Sequence, residues 1–115
     1  MPVPEITLLM TAHAEGRLAH RSLKSALGAI ERAREQGIGV EFVAVLDAPT
    51  AETADYFEAH RDRFDTCVHV NFGDVGLARN EGVRRARGRY VAFTDADDLV
   101  GPGWLRAAHA YAQAL

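Results

Sequence analysis

The feature that most constrains this chain is an alternation: four short strand-like runs, each followed by a segment with helical spacing. The runs are Ile6–Ala12 (ITLLMTA), Val40–Leu46 (VEFVAVL), Thr66–Phe72 (TCVHVNF) and Arg89–Thr94 (RYVAFT). The first helical segment covers about 18–36, with apolar residues at Leu18, Leu23, Leu27 and Ile30, and is stopped at Gly37-Ile38-Gly39. Thr50 is a candidate N-cap for a short helix over 53–60; 77–87 is a third helix ended by Gly88, and a fourth starts at Trp104 after Gly101-Pro102-Gly103. Continuous apolar runs are buried on both faces, and parallel neighbours require crossover helices. The pattern predicts an α/β fold in three layers, α/β/α, with a mainly parallel, Rossmann-like sheet.

Length and charge narrow the functional classes. The chain has 115 residues, enough for one domain, and 16 acidic against 13 basic residues give a formal charge of -3. Bulk attraction to nucleic acid or to an acidic membrane is therefore not expected. The basic cluster Arg84-Arg85-Ala86-Arg87-Gly88-Arg89 falls at a helix end, where cations complement the dipole, and reads as a solvated face. The one cysteine, Cys67, cannot form an internal disulfide and sits in an alternating run, as a buried hydrophobe would. The opening MPVPEITLLMTAHAEG lacks a basic leader region and no run has membrane-spanning length, so a soluble, cytoplasmic protein without a transmembrane segment is expected. No G-x-G-x-x-G follows the first run and no phosphate-binding G-x-x-x-x-G-K-[ST] occurs.

In open α/β sheets ligands bind beyond the carboxyl ends of the strands. The loops at those ends read His13-Ala14-Glu15-Gly16, Asp47-Ala48-Pro49-Thr50, Gly73-Asp74-Val75-Gly76 and Asp95-Ala96-Asp97-Asp98. The last is the most acidic. Two aspartates one residue apart at a strand end can direct oxygens into a common space, which suits a hard divalent cation carrying substrate phosphates. An isolated D-x-D also serves as a turn or cap, and His13 and Asp47 fit a satisfied loop histidine and a turn aspartate equally well.

The segment GDVGLARNEGVRRARGRYVAFTDADDLVGPGWL, from Gly73 onward, resembles the inverting family 2 glycosyltransferases of the GT-A fold. That family carries a Gly-rich loop, an A-R-N helix start, an A-x-G stop, a strand and a D-x-D-D motif. ITLLMTAHAEG and VEFVAVLDAPT resemble its first two strands, so the likeness runs from Ile6 to about Leu105. It implies a nucleotide-diphosphate sugar as donor, Mn²⁺ or Mg²⁺ as cofactor, and transfer to an acceptor that the sequence does not identify. By the same resemblance Asp97 is the metal aspartate and Asp95 its partner, which also contacts the donor's ribose or sugar. Asp98 is the extra acidic residue of the motif, expected near the sugar or as a support for the loop. Asp47 matches the aspartate that accepts a hydrogen bond from the base, His13 falls where a ring stacks on that base, and Arg79 and Asn80 match the A-R-N element as donor-binding residues. Leu46-Asp47 stands in place of the usual acidic pair and Ala48-Pro49 in place of Gly-Ser, which leaves the base open.

The general base of such enzymes lies in the half that follows the D-x-D, and neither Glu15 nor Asp74 matches it. The expectation is a single donor-binding domain over 1–115, lacking the acceptor half. Its last helix would have a free apolar face, and self-association through that face or a sheet edge is expected. Two other readings stay open. One is a non-catalytic nucleotide-binding or interaction module of the same fold; the other is a haloacid-dehalogenase-like phosphatase with Asp95 as nucleophile.

Overall fold

The computed structural model describes residues 3–115; Met1 and Pro2, on which the reading of the opening segment partly rests, lie outside the described residues. Strands β1 (Ile6–Ala12), β2 (Val40–Asp47), β3 (Thr66–Val70) and β4 (Tyr90–Asp95) alternate with helices α1 (Ala19–Glu35), α2 (Ala51–Ala59), α3 (Val75–Arg85) and α4 (Trp104–Ala114). The sheet order is β3-β2-β1-β4 and every pairing is parallel. The expected α/β fold with a parallel sheet is therefore what the chain forms.

The two central strands run in register from Ile6 opposite Val40 to Ala12 opposite Leu46, and every residue of both is buried. Successive strand residues point to opposite faces. Leu8, Met10, Phe42, Ala44 and Leu46 thus share one face with Leu23 and Ile30 of α1, Phe57 of α2 and Leu105 of α4. Leu9, Val43 and Val45 occupy the other face under Ala78 of α3. Each large apolar side chain fully withdrawn from water contributes about 1.5–3 kcal/mol, so the first face carries most of the stability.

The direction of the sheet reverses at β1. The chain steps outward through β2 to β3 and then returns to place β4 on the other side of β1. Because crossovers are right-handed, this reversal puts α3 on the face opposite α1 and α2, and opens a crevice between the β1 and β4 loops.

Several local expectations are corrected. Leu18 is 76% exposed, because a 3₁₀ turn over Gly16–Leu18 precedes α1 and puts that side chain out of phase with the buried stripe. Helix α3 starts at Val75 rather than Leu77, since Asp74 caps it by accepting the Leu77 N–H at 3.0 Å. It ends at Arg85, so Gly88 is not its stop. Gly88 instead permits a close approach: a Cβ there would lie 2.5 Å from the Thr7 nitrogen. The inward face of α4 is not free, as Leu105 is buried against α1 and His109 Nε2 lies 3.1 Å from Glu5 Oε1, edge-on to Tyr90. Tyr111 and Leu115 remain outside. Cys67 is buried as expected, and burial pushes its thiol pKa up.

At the lower end of the sheet, opposite the crevice, the buried Glu41 is fully engaged. Its Oε1 accepts Thr7 Oγ1 at 2.7 Å and the Arg87 N–H at 2.8 Å, and its Oε2 accepts Arg87 Nε at 3.0 Å. Arg84 and Arg85 pair with Glu81, so three arginines of the basic cluster already have local acidic partners. Among the described residues no helix is long and apolar enough to cross a membrane.

Candidate functional site

A cavity of about 400 Å³ opens at the carboxyl ends of the strands, where the reversal places it. Its size falls within the range of small-molecule sites. Thr11 lies at the end of β1 and His13 just after it, Asp47 ends β2, Gly73, Asp74 and Val75 open α3, Asp95 ends β4 and Asp97 follows it. Ala78 and Arg79 line it from the first turns of α3.

Strand alternation explains the convergence. Thr11 and Asp47 fall on the α3 face together with Leu9, Val43 and Val45, and Asp95 lies opposite Thr11 in register. Thr11 Oγ1 donates to Asp95 Oδ1 at 2.7 Å, and Arg79 Nη2 donates to the same oxygen at 3.2 Å and to Oδ2 at 3.5 Å. Phe93, one turn of the pleat earlier, places its ring 6.0 Å from the Arg79 guanidinium carbon. The Arg79 Nε is buried and has no hydrogen-bond partner among the described residues.

Asp47 has a different set of partners. Its Oδ1 accepts the N–H groups of Phe72 at 2.7 Å and Gly73 at 2.9 Å, and its Oδ2 accepts that of Asp74 at 2.9 Å. Burial pushes its carboxyl pKa up, but the three amides and the nearby His13 outweigh that and hold it below the ordinary carboxylate range. The group that closes β2 therefore shapes the loop leading into α3. Next to it Ala48 adopts φ +44°, a left-handed conformation that glycine accommodates more readily.

His13 is fixed by its ring Nδ1, 2.8 Å from the Asp47 carbonyl oxygen; a carbonyl only accepts, so Nδ1 carries the proton. The ring itself is exposed at the cavity edge. Glu15 Oε1 accepts the His13 backbone N–H at 2.7 Å.

The acidic cluster is formed. Asp95, Asp97 and Asp98 each offer a carboxylate oxygen, and these lie within 4.8 Å of one another. Asp97 and Asp98 are exposed, and neither carboxylate is hydrogen-bonded among the described residues, whereas Asp95 is half-buried and held. The residues fit a hard divalent cation: oxygen donors of like charge are held close, with two of them free.

Of the residues singled out from the sequence, His13, Asp47, Arg79, Asp95 and Asp97 line one cavity, and Asp98 joins the cluster at its rim. Asn80 does not. It is exposed on α3: Val75, Ala78 and Arg79, at i, i+3 and i+4, share the helix face turned to the cavity, and Asn80 lies about 100° further round. Thr11 was missed. Its signal is a hydroxyl at the end of an otherwise apolar strand, level with the acidic strand end beside it.

Comparison with known proteins places the chain in a class. Residues 7–114 match the family described as Glycosyl transferase family 2, and the chain belongs to that family. It is 34% identical over 106 residues to the succinoglycan biosynthesis protein ExoO of Rhizobium meliloti, covering 90% of this chain and 28% of ExoO. Among solved structures, TarS 1–349 of S. aureus in complex with UDP superposes with a TM-score of 0.77 at 23% identity, covering 96% of this chain and 32% of that one. The mannosyltransferase PcManGT of Pyrobaculum calidifontis, in complex with GDP-Man and Mn²⁺, gives 0.71 at 25% identity over 91% of this chain and 31% of that one. The chain thus spans about a third or less of the length of these relatives.

Proposed function

We propose that this chain is the donor-binding part of an inverting, cation-dependent glycosyltransferase that takes a nucleotide-diphosphate sugar. The observation that carries the reading is the placement of the Asp95, Asp97 and Asp98 oxygens, within 4.8 Å of one another at the rim of the cavity. The UDP bound by TarS and the GDP-Man and Mn²⁺ bound by PcManGT support the same ligand class here.

Each residue then has a physical task. The exposed His13 ring, locked by the Asp47 carbonyl, offers a flat face for a base. The N-terminus of α3, where Val75 lines the cavity, presents positive dipole to phosphate. Asp97 and Asp98, with Asp95, would hold Mn²⁺ or Mg²⁺. When bound, such an ion neutralises charge on the departing diphosphate. Asp95, pinned by Thr11 and Arg79, is also placed to accept a hydroxyl of ribose or sugar. The acceptor and the general base are not assigned to residues of this chain.

The test is thermal unfolding with Mn²⁺ and UDP or GDP, on the wild type and on Asp97→Ala. Ligand at a hundredfold its Kd stabilises by about 2.7 kcal/mol, a rise of roughly 10 °C for a domain of this size. The substitution removes that rise and leaves the ligand-free midpoint within about 1 °C, because Asp97 is exposed and unpaired. A cation-dependent rise that survives in Asp97→Ala overturns the reading.

A further inference from the structure

The cavity is lined by five carboxylates, those of Glu15, Asp47, Asp74, Asp95 and Asp97, and Arg79 is the one arginine or lysine among its lining residues. Hydrogen bonds to backbone amides satisfy Asp47, Asp74 and Glu15, but their charges remain. Such a cavity repels a diphosphate that arrives without a cation.

Arg79 is held in an incomplete way. Of its five N–H donors, those on Nη2 reach Asp95, one contact at 3.2 Å and a weaker one at 3.5 Å, while Nε is buried without a partner. Nε is closed to solvent, so an incoming acceptor meets this guanidinium, whose side chain is 39% exposed, at Nη1, which makes no hydrogen bond to a described residue. The same guanidinium lies against the carboxylate that would share a divalent cation with Asp97 and Asp98. Like charges at that range oppose each other.

We infer that Arg79 is the cavity's resident counter-ion: it holds Asp95 while the cavity is empty, opposes a lone divalent cation at the acidic cluster, and offers its Nη1 N–H groups to the diphosphate. Cation and nucleotide then enter together more favourably than either does alone. Arg79 is accordingly a positioning residue for Asp95 and a binding residue for phosphate. The inference rests on the donor reading above, and its two halves have opposite signs, which separates it from a structural role.

The experiment measures Mn²⁺ affinity by calorimetry or electron paramagnetic resonance, first with Mn²⁺ alone and then with UDP or GDP added. It compares the wild type, Arg79→Gln, Arg79→Lys and Thr11→Val, with unfolding curves as folding controls. Arg79→Gln removes a nearby positive charge and should bind Mn²⁺ alone about threefold more tightly or better. It also removes a charge-assisted hydrogen bond to phosphate, so the nucleoside diphosphate with Mn²⁺ should bind about tenfold more weakly. Arg79→Lys keeps the charge and should stay within about twofold of wild type for Mn²⁺ alone. Thr11→Val loosens Asp95 without changing charge and should not tighten Mn²⁺.

The inference is overturned if Arg79→Gln leaves Mn²⁺ affinity unchanged or lowers it together with nucleotide affinity, as loss of a structural contact would. It is equally overturned if Arg79→Lys or Thr11→Val tightens Mn²⁺ as much as Arg79→Gln does. Should the wild type bind no nucleoside diphosphate with Mn²⁺, the donor reading fails, while the Mn²⁺-alone comparison still decides the charge role of Arg79.

Discussion

Asp47 and Gly73 stand 26 positions apart in the chain, yet the Gly73 N–H reaches the Asp47 Oδ1 at 2.9 Å, between matching contacts from Phe72 and Asp74. The carboxylate closing β2 thereby sets the entry to α3. Asp47→Asn puts an amide donor against at least one of those N–H groups and removes the charge. We expect a loss of about 2 kcal/mol, the scale for a buried charged hydrogen-bond acceptor. In thermal unfolding that is a fall of roughly 8–10 °C, accompanied by weaker nucleotide binding. An unchanged midpoint would show that the loop holds itself.

Acid should destabilise the domain through two carboxylates. Burial pushes the pKa of Glu41 and of Asp47 up, but hydrogen bonds outweigh it in each, from Arg87 and Thr7 for Glu41 and from the 72–74 amides for Asp47. Both folded-state values lie below the ordinary 4.5 and 3.8. A depressed carboxyl contributes stability that is present above its unfolded value and is lost as pH falls through its folded one. Denaturant midpoints should therefore be level above about pH 5 and decline below about pH 4.5. Glu41→Gln should flatten the upper part of that decline.

Two glycines should differ in what they tolerate. An added Cβ at Gly88 meets Thr7 nitrogen at 2.5 Å and Ile6 carbonyl carbon at 2.7 Å, both backbone of the central strand. Gly88→Ala should cost about 3 kcal/mol or more, because β1 cannot shift without disturbing both its neighbours. At Gly82 the obstacle is the Leu9 side chain, which can yield more readily than strand backbone. Overpacking of about 1–3 kcal/mol is partly offset there by the roughly 1 kcal/mol helix preference of alanine. Gly82→Ala should be the milder of the two in denaturant titration.

Ala48 offers the opposite sign. Holding an alanine at φ +44° costs about 1–2 kcal/mol, while glycine's extra freedom in the unfolded chain costs about 0.4–1 kcal/mol. Ala48→Gly should stabilise by about 0.5–1 kcal/mol, read as a higher denaturant midpoint with unchanged slope. A destabilised variant would mean that the turn after Asp47 carries no strain.

What the sequence disclosed follows the range of the interaction involved. Strands β1 and β2 were legible because their apolar runs are continuous, and Thr50 because a cap acts within three residues. The acidic cluster was legible for the same reason: its members are neighbours in the chain. Leu18 was misplaced because a 3₁₀ turn shifts helical phase without any residue announcing it. The start of α3 was read too late, since two glycines masked the cap at Asp74. The ties from Thr11 to Asp95, Asp47 to Gly73 and Thr7 to Glu41 cross 84, 26 and 34 positions. Only the sheet order brings those pairs together, and no local pattern records it.

The unequal faces of the sheet carry a consequence for motion. Helix α3 rests on the small cluster around Leu9, Val43 and Val45, and its flanking loops are fastened at one end by Asp47 and at the other by Glu41. It is strapped to the domain more than embedded in it. Amide protons of the 72–88 segment should then exchange with deuterium ahead of those in β1 and β2, as a subglobal opening that takes Arg79 away from the cavity without unfolding the rest.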